Sequence, residues 1–235
     1  MAGKLYVIPT VIAEDTTEVI PQQVRDVLLN TTYFLAEDIR TARRYVSSLK
    51  LGVTIEELSF EVLDKKTNPA SLERLLEPLL SGQSVGILSE SGCPGIADPG
   101  ALAVAYAQKK DIEVIPLVGP SSILLSLMAS GFNGQKFCFH GYLPIEQKKL
   151  DVEIKRLDSD SRKLNQTQIF IETPYRNNQL LKSLIQSCNP STLLCVAKDV
   201  TSSNSYIKTK AIKDWKNTKI DLHKVPTVFL LYAGM

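Results

Sequence analysis

Short apolar runs alternate with helical stretches along the first half of the chain, and this alternation constrains the fold more than any other feature. Residues 4–9 (KLYVIP), 33–37 (YFLAE), 84–88 (SVGIL) and 112–116 (IEVIP) have the length and apolar content of buried strands. Between them lie helical stretches. Residues 21–30 begin with Pro21, whose missing N–H is harmless in a first turn. Residues 40–51 and 69–80 are closed by Gly52 and Gly82, and a further helix, capped by Asp98, runs through Gln108. Strand–helix alternation of this kind predicts a mostly parallel sheet with helices on both faces. After 116–120 (PLVGP) the strands FCFHGYL, QIFIET, TLLCVAK and TVFLLYA are set apart by longer polar pieces, which places a domain boundary between residues 117 and 118. The expectation is α/β, with two α/β domains. Residues 151–168 read as a long surface helix fraying into a loop, and 201–218 as a polar, solvated face. There is no internal repeat and no low-complexity tract.

At 235 residues, 44% hydrophobic and 22% charged, the chain can bury proper cores and is not of the disordered class. The 27 basic and 25 acidic side chains leave a net charge of +2, spread so that no charged block announces a nucleic-acid or membrane tail. No apolar run approaches the ~18 residues of a membrane span, and the first residues carry no signal-peptide pattern, so a cytoplasmic protein is expected. Cys93, Cys138, Cys188 and Cys195 form no C-x-x-C pair and suit reduced thiols. With only His140 and His223 to add, no metal site is expected.

The stretch SESGCPGIADPG, residues 89–100, follows the third strand directly and packs three glycines, two prolines and two carboxylates into twelve positions. In an open α/β sheet, ligands bind outside the carboxyl ends of the strands. Gly92, Gly95 and Gly100 allow close backbone approach, while Pro94 and Pro99 hold shape without adding donors. The plainer alternative is a pair of tight turns leading into a helix. The loop is neither a G-x-G-x-x-G fingerprint nor a Walker loop.

Taken in order, LYVIPT, AEDIRTARR, GILSESGCPGIADPG, IPLVGPSSILLSLMASG, FHGYLP and FIETPYR resemble the tetrapyrrole-methylase-type (class III) S-adenosylmethionine methyltransferases. Within that family they are most similar to the branch that methylates a cytidine 2′-hydroxyl of small-subunit ribosomal RNA. The resemblance runs from residue 3 to about residue 200. It implies two α/β domains, S-adenosyl-L-methionine in the cleft between them, ribosomal RNA as acceptor and a homodimer. By position it implies cofactor contacts at Gly92, Cys93, Pro94 and Ile96, at Ser121 and Ser122, and at Ile171, Glu172, Ala197 and Thr227. Ser121 can equally cap its helix, and Ile171 and Ala197 would be core residues in any fold.

The chain also departs from the branch. Thr10-Val11-Ile12-Ala13-Glu14-Asp15 stands where T-P-I-G-N-L is usual, Cys93 where Thr is usual, and Glu172-Thr173-Pro174-Tyr175-Arg176 where E-S-P-H-R is usual. A histidine-containing Y-x-E-H-N segment is replaced by residues 59–66 without a His. The cofactor half is kept and the acceptor half altered. Glu90, Asp98 and Glu172 are the candidates to accept the proton of a ribose hydroxyl, with Asp98 alternatively a helix cap. Arg40, Arg43, Arg44 and Arg176 are the candidate RNA-phosphate contacts, with Arg43 and Arg44 alternatively solvated helix charges. A tetrapyrrole or other small acceptor, and a non-catalytic cofactor-binding paralogue, are the alternative functions.

Overall fold

The computed structural model describes residues 2–234. The chain divides into two compact units, one running to Ser121 and the other beginning at Ser122. The first unit follows the expected alternation: β1 (Leu5–Ile8), α1 (Gln22–Leu29), β2 (Tyr33–Ala36), α2 (Ile39–Ser48), β3 (Ser59–Val62), α3 (Pro69–Leu80), β4 (Val85–Leu88), α4 (Gly100–Lys109) and β5 (Val114–Pro116). Its sheet has the order β3-β2-β4-β1-β5, with every pairing parallel. Helix starts follow local chemistry. Asp38 accepts from Thr41 N at 2.6 Å to open α2, and Asn68 accepts from Ser71 N at 2.9 Å to open α3, with Pro69 next in line.

The helices of this unit cover both faces of the sheet. Val24 and Leu28 of α1 and Ala42, Tyr45 and Val46 of α2 pack with Ile8, Phe34 and Leu88. Leu75, Leu76 and Leu79 of α3 and Ala103 and Ala107 of α4 pack with Leu5, Leu35 and Ile87 on the other side. Each fully buried Leu or Phe contributes about 1.5–3 kcal/mol. The strand β3 adds to the elements that the apolar runs mark. Only Phe60 of its four residues is buried, so it lacks the pattern of a central strand.

The second unit contains α5 (Ser122–Ser130), β6 (Phe137–Tyr142), α6 (Gln147–Leu164), β7 (Thr167–Ile171), α7 (Asn177–Ser187), β8 (Leu193–Lys198), β9 (Tyr206–Ala211), α8 (Ile212–Trp215) and β10 (Thr227–Tyr232). The sheet order is β6-β7-β10-β8-β9, parallel between β6 and β7 and antiparallel elsewhere. Alternate residues of β10 serve opposite cores, as strand geometry requires. Phe229 and Leu231 meet α6, α7 and Trp215, whereas Val228 and Leu230 meet Leu127 of α5.

Two sequence expectations are corrected here. The helix assigned to 151–168 is α6, which starts earlier and does not fray. Leu150, Ile154, Leu157 and Ser161 bury one stripe, and left-handed Asn165 (φ 50°) ends it sharply. The segment 201–218 is not simply a solvated face. It contains edge strand β9 and helix α8, whose Trp215 is fully buried and donates its indole N–H to Leu194 O at 2.9 Å.

Candidate functional site

Strand order locates the ligand crevice of the first unit. From β1 the chain crosses to β2 on one side, and from the adjacent β4 it crosses to β5 on the other. Right-handed crossovers in opposite directions put α1 and α4 on opposite faces, as the two cores show. A crevice therefore opens at the carboxyl ends of β1 and β4, a topological switch point. The last register pair is Ile8 with Leu88, so the loops beginning at Pro9 and Ser89 leave the sheet side by side.

Those two loops are bonded to one another. Thr10 N donates to Gly92 O at 2.9 Å, and Gly92 N donates to Val11 O at 3.4 Å. Beneath them the buried hydroxyls of Thr10 and Ser89 lie 3.3 Å apart, and Ser89 also donates to Gly92 O at 2.8 Å. The loop after β5 joins the group through Cys93, whose thiol donates to Pro120 O at 3.4 Å. Burial pushes the Cys93 thiol above its ordinary pKa, so it stays protonated in this role. Two glycines permit the assembly. Gly92 has φ 72°, and a Cβ there would lie 3.2 Å from Pro120 O; a Cβ on Gly119 would lie 2.2 Å from Pro9 Cγ. Tyr45 of α2 fixes the same corner by donating to Pro9 O at 2.9 Å.

The carboxylates of this unit separate into different roles. Asp98 Oδ1 accepts from Gly95 N at 3.0 Å and Gly100 N at 2.7 Å, which makes it a residue of the turn and helix start, in line with the helix-cap alternative. Glu90 is exposed at the loop tip. Partial burial, followed by the charges of Glu37, Asp38 and Asp98, raises its pKa above the ordinary carboxylate range. Ile96 is also exposed, beside left-handed Ala97 (φ 58°). In the departing first loop the left-handed residue is Asp15 (φ 60°), not Ala13.

The arginines of α2 are all exposed, with differing partners. Arg43 lies over the Phe60 ring at 5.5 Å, and Arg44 makes a loose 3.9 Å contact with Glu14. Arg40 adds charge near Asp38.

In the second unit, Ile171 and Ala197 both pair with Val228, so they flank β10 on the side where α5 packs; Thr227 precedes Val228. Glu172 is buried and bonded on both oxygens, by Thr173 N at 2.6 Å and by Arg176. Arg176, expected as a phosphate contact, pairs with this protein carboxylate through one guanidinium nitrogen. Ser122 is the first residue of α5, and both Ser121 and Ser122 are half-buried. Thr10 forms part of the site without having stood out in the sequence, whereas Ser89 and Pro120 lie within the stretches SESGCPGIADPG and PLVGP. Among the described residues, no group of three or more His, Cys, Asp or Glu could hold a metal ion.

No protein-family model matches the chain. It is 26% identical over 235 residues to the ribosomal RNA small subunit methyltransferase I of Buchnera aphidicola subsp. Schizaphis graminum, covering 99% of this chain and 79% of that protein. To the Vibrio cholerae protein of the same name it is 28% identical over 199 residues, covering 85% of this chain and 65% of the relative. The chain thus spans between about two thirds and four fifths of these relatives' lengths. Among solved structures it resembles the methyltransferase CobJ, with a TM-score of 0.65 at 19% identity over 98% of this chain and 94% of that one. It also resembles the uroporphyrin-III C-methyl transferase of Thermus thermophilus complexed with S-adenyl homocysteine, with a TM-score of 0.59 at 14% identity over 98% and 97% of the two chains. The structural likeness speaks for the fold, and the sequence likeness covers 85–99% of this chain. The chain is similar in sequence to the ribosomal RNA small subunit methyltransferase I proteins and shares its fold with the solved methyltransferases.

Proposed function

We propose that this protein transfers the methyl group of S-adenosyl-L-methionine to a ribose 2′-hydroxyl of small-subunit ribosomal RNA. The observation that carries the proposal is the locked pair of loops at the β1/β4 switch point, Thr10–Ile12 against Ser89–Pro94, in a chain similar along its length to ribosomal RNA methyltransferases. The residues present fit the cofactor. Gly92, Cys93 and Pro94 offer close backbone approach, with exposed Ile96 as apolar cover. The N-terminus of the nine-residue helix α5, at Ser121 and Ser122, suits the methionine carboxylate. On the second unit, Ile171, Ala197 and Thr227 are the residues that the sequence resemblance offers to the cofactor, Ile171 half-buried and Ala197 and Thr227 buried.

When bound, the cofactor supplies an already activated methyl group. The chain has to orient the acceptor hydroxyl and take its proton. Of the three carboxylates, Glu90 is best suited to accept that proton. It is exposed, it spends neither oxygen on holding a loop, and its raised pKa makes it a stronger base than an ordinary carboxylate. Asp98 and Glu172 hold loop N–H groups and Arg176 instead, and so position the loops. Arg40 and Arg44 are the first unit's contacts to the acceptor.

A second copy of the chain would cover apolar surface on α5, where Met128 is 78% exposed, and we take the protein to be a homodimer of the cytoplasm. No helix among the described residues is long and apolar enough to cross a membrane. The test is nucleoside analysis of small-subunit RNA after incubation with protein and cofactor. A 2′-O-methylated cytidine is expected. A base-methylated nucleoside would overturn the ribose assignment, and methylation of a uroporphyrinogen in place of RNA would favour the tetrapyrrole alternative.

A further inference from the structure

The overall charge of +2 conceals a division between the units. Residues 1–121 carry 11 basic and 16 acidic side chains, a net of −5, whereas residues 122–235 carry 16 and 9, a net of +7. The expectation of evenly spread charge is corrected by this division. The excess is concentrated further: residues 198–224 hold seven lysines against three aspartates.

Three of these lysines, Lys198, Lys216 and Lys219, border two open grooves on the second unit, of about 660 and 690 Å3, which share Ile220. The first has an apolar floor of Leu181, Ile185 and Ile220, with Lys182 and Lys216 among its lining residues. Lys198, Lys219 and Tyr206 line the second together with Asp199 and Asp221, and Asp221 is engaged by Asn178 and His223 N. Lys182, Lys216 and Lys219 are exposed, and among the described residues none of them is in an ion pair. The segment bearing Lys216 and Lys219 is held in place. Asn178 donates to Asp221 Oδ1 at 2.7 Å and accepts from Leu222 N at 2.9 Å, while Lys224 N donates to Pro174 O at 3.0 Å. Beside it, exposed Tyr175 carries Lys224 over its ring at 5.7 Å and His223 at its edge.

Unpaired lysines on a fixed frame, an apolar floor and an exposed ring together match a polyanion with apolar sugar and base faces. We infer that the paired grooves around Ile220 bind the RNA backbone of the acceptor, with Lys182, Lys216 and Lys219 as phosphate contacts. This rests on the RNA-methyltransferase reading and places the main RNA grip on the second unit. Phosphate contacts release counterions, so their removal flattens the salt dependence of binding.

The test compares wild type with Lys182→Ala/Lys216→Ala/Lys219→Ala and with a control of equal charge change on α6, Lys155→Ala/Arg162→Ala/Lys163→Ala. The probes are naked small-subunit RNA, assembled small subunits and S-adenosylhomocysteine. The groove variant is expected to lose about tenfold in RNA affinity and about 2 units of the log–log salt slope, at ~0.7 per single-strand phosphate. Its affinity for S-adenosylhomocysteine should be unchanged, and the control should bind RNA like wild type. Wild-type RNA affinity and slope in the groove variant would overturn the inference while leaving the methyltransferase reading intact. Groove-dependent RNA binding by a protein that methylates no RNA would do the reverse. A loss confined to assembled subunits would assign the grooves to a ribosomal protein and also overturn the inference, as would equal losses in the control.

Discussion

Single atoms decide how the crevice loops are held. A methyl group on Gly119 would collide with the ring of Pro9, and both sit in packed loop ends with little room to yield. Gly119→Ala should therefore cost about 1–3 kcal/mol, read as a lower urea midpoint with an unchanged slope. Glu90 gives a prediction with a sign. Its pKa is raised in the folded protein, so the folded state holds its proton to higher pH than the unfolded chain. Stability is lost as pH rises from the ordinary carboxylate pKa through the raised one. Glu90→Gln should then raise the melting temperature near neutral pH relative to wild type, with the gain gone below about pH 4. If Glu90 is the base, the same variant also loses the acid limb of the methyl-transfer pH profile. At the proposed carboxylate site, Ser121→Asp adds a like charge and should weaken S-adenosylhomocysteine binding by about tenfold or more in calorimetry. Cys93→Thr keeps a donor for Pro120 O and should leave that affinity nearly unchanged.

Among the elements, those with a strong apolar pattern are legible in the sequence and those without it are not. The strands at 5–8, 85–88 and 227–232 announce themselves because nearly every residue faces a core. The edge strands β3 and β9 do not: three of the four residues of β3 are exposed, and β9 mixes lysines and a threonine with apolar residues, none of them fully buried. The start of α6 is obscured because four buried positions are diluted among eighteen residues rich in charge. Candidate site residues from turn motifs, such as Gly92 and Pro94, are recoverable because glycine and proline reveal backbone demands directly. The Thr10–Ser89 contact is not, because it joins residues 79 positions apart. Trp215, hidden within a polar segment, anchors α8 against β8 through its ring and its N–H. Trp215→Ala should cost about 3–5 kcal/mol in chemical denaturation, more than any exposed lysine of the same segment.

At the scale of the molecule, the two units divide the work by charge as well as by position in the chain. The acidic first unit contributes the locked crevice at a switch point, and the basic second unit contributes the surface on which a polyanion can rest. A net charge near zero is thus a poor guide to partners, because opposite excesses cancel in the sum. The histidine-containing segment of the related branch is absent from this chain, and the proposed acceptor contacts are Arg40 and Arg44 of the first unit and the lysines of the second-unit grooves. Methyl transfer to RNA is checked most simply by offering labelled S-adenosylmethionine and small-subunit RNA taken from cells lacking this protein. Label is expected in the RNA, removable by ribonuclease and reduced by Ser121→Asp at limiting cofactor. Cofactor binding at full affinity with no label in RNA, free or assembled into subunits, would refute an RNA methyltransferase.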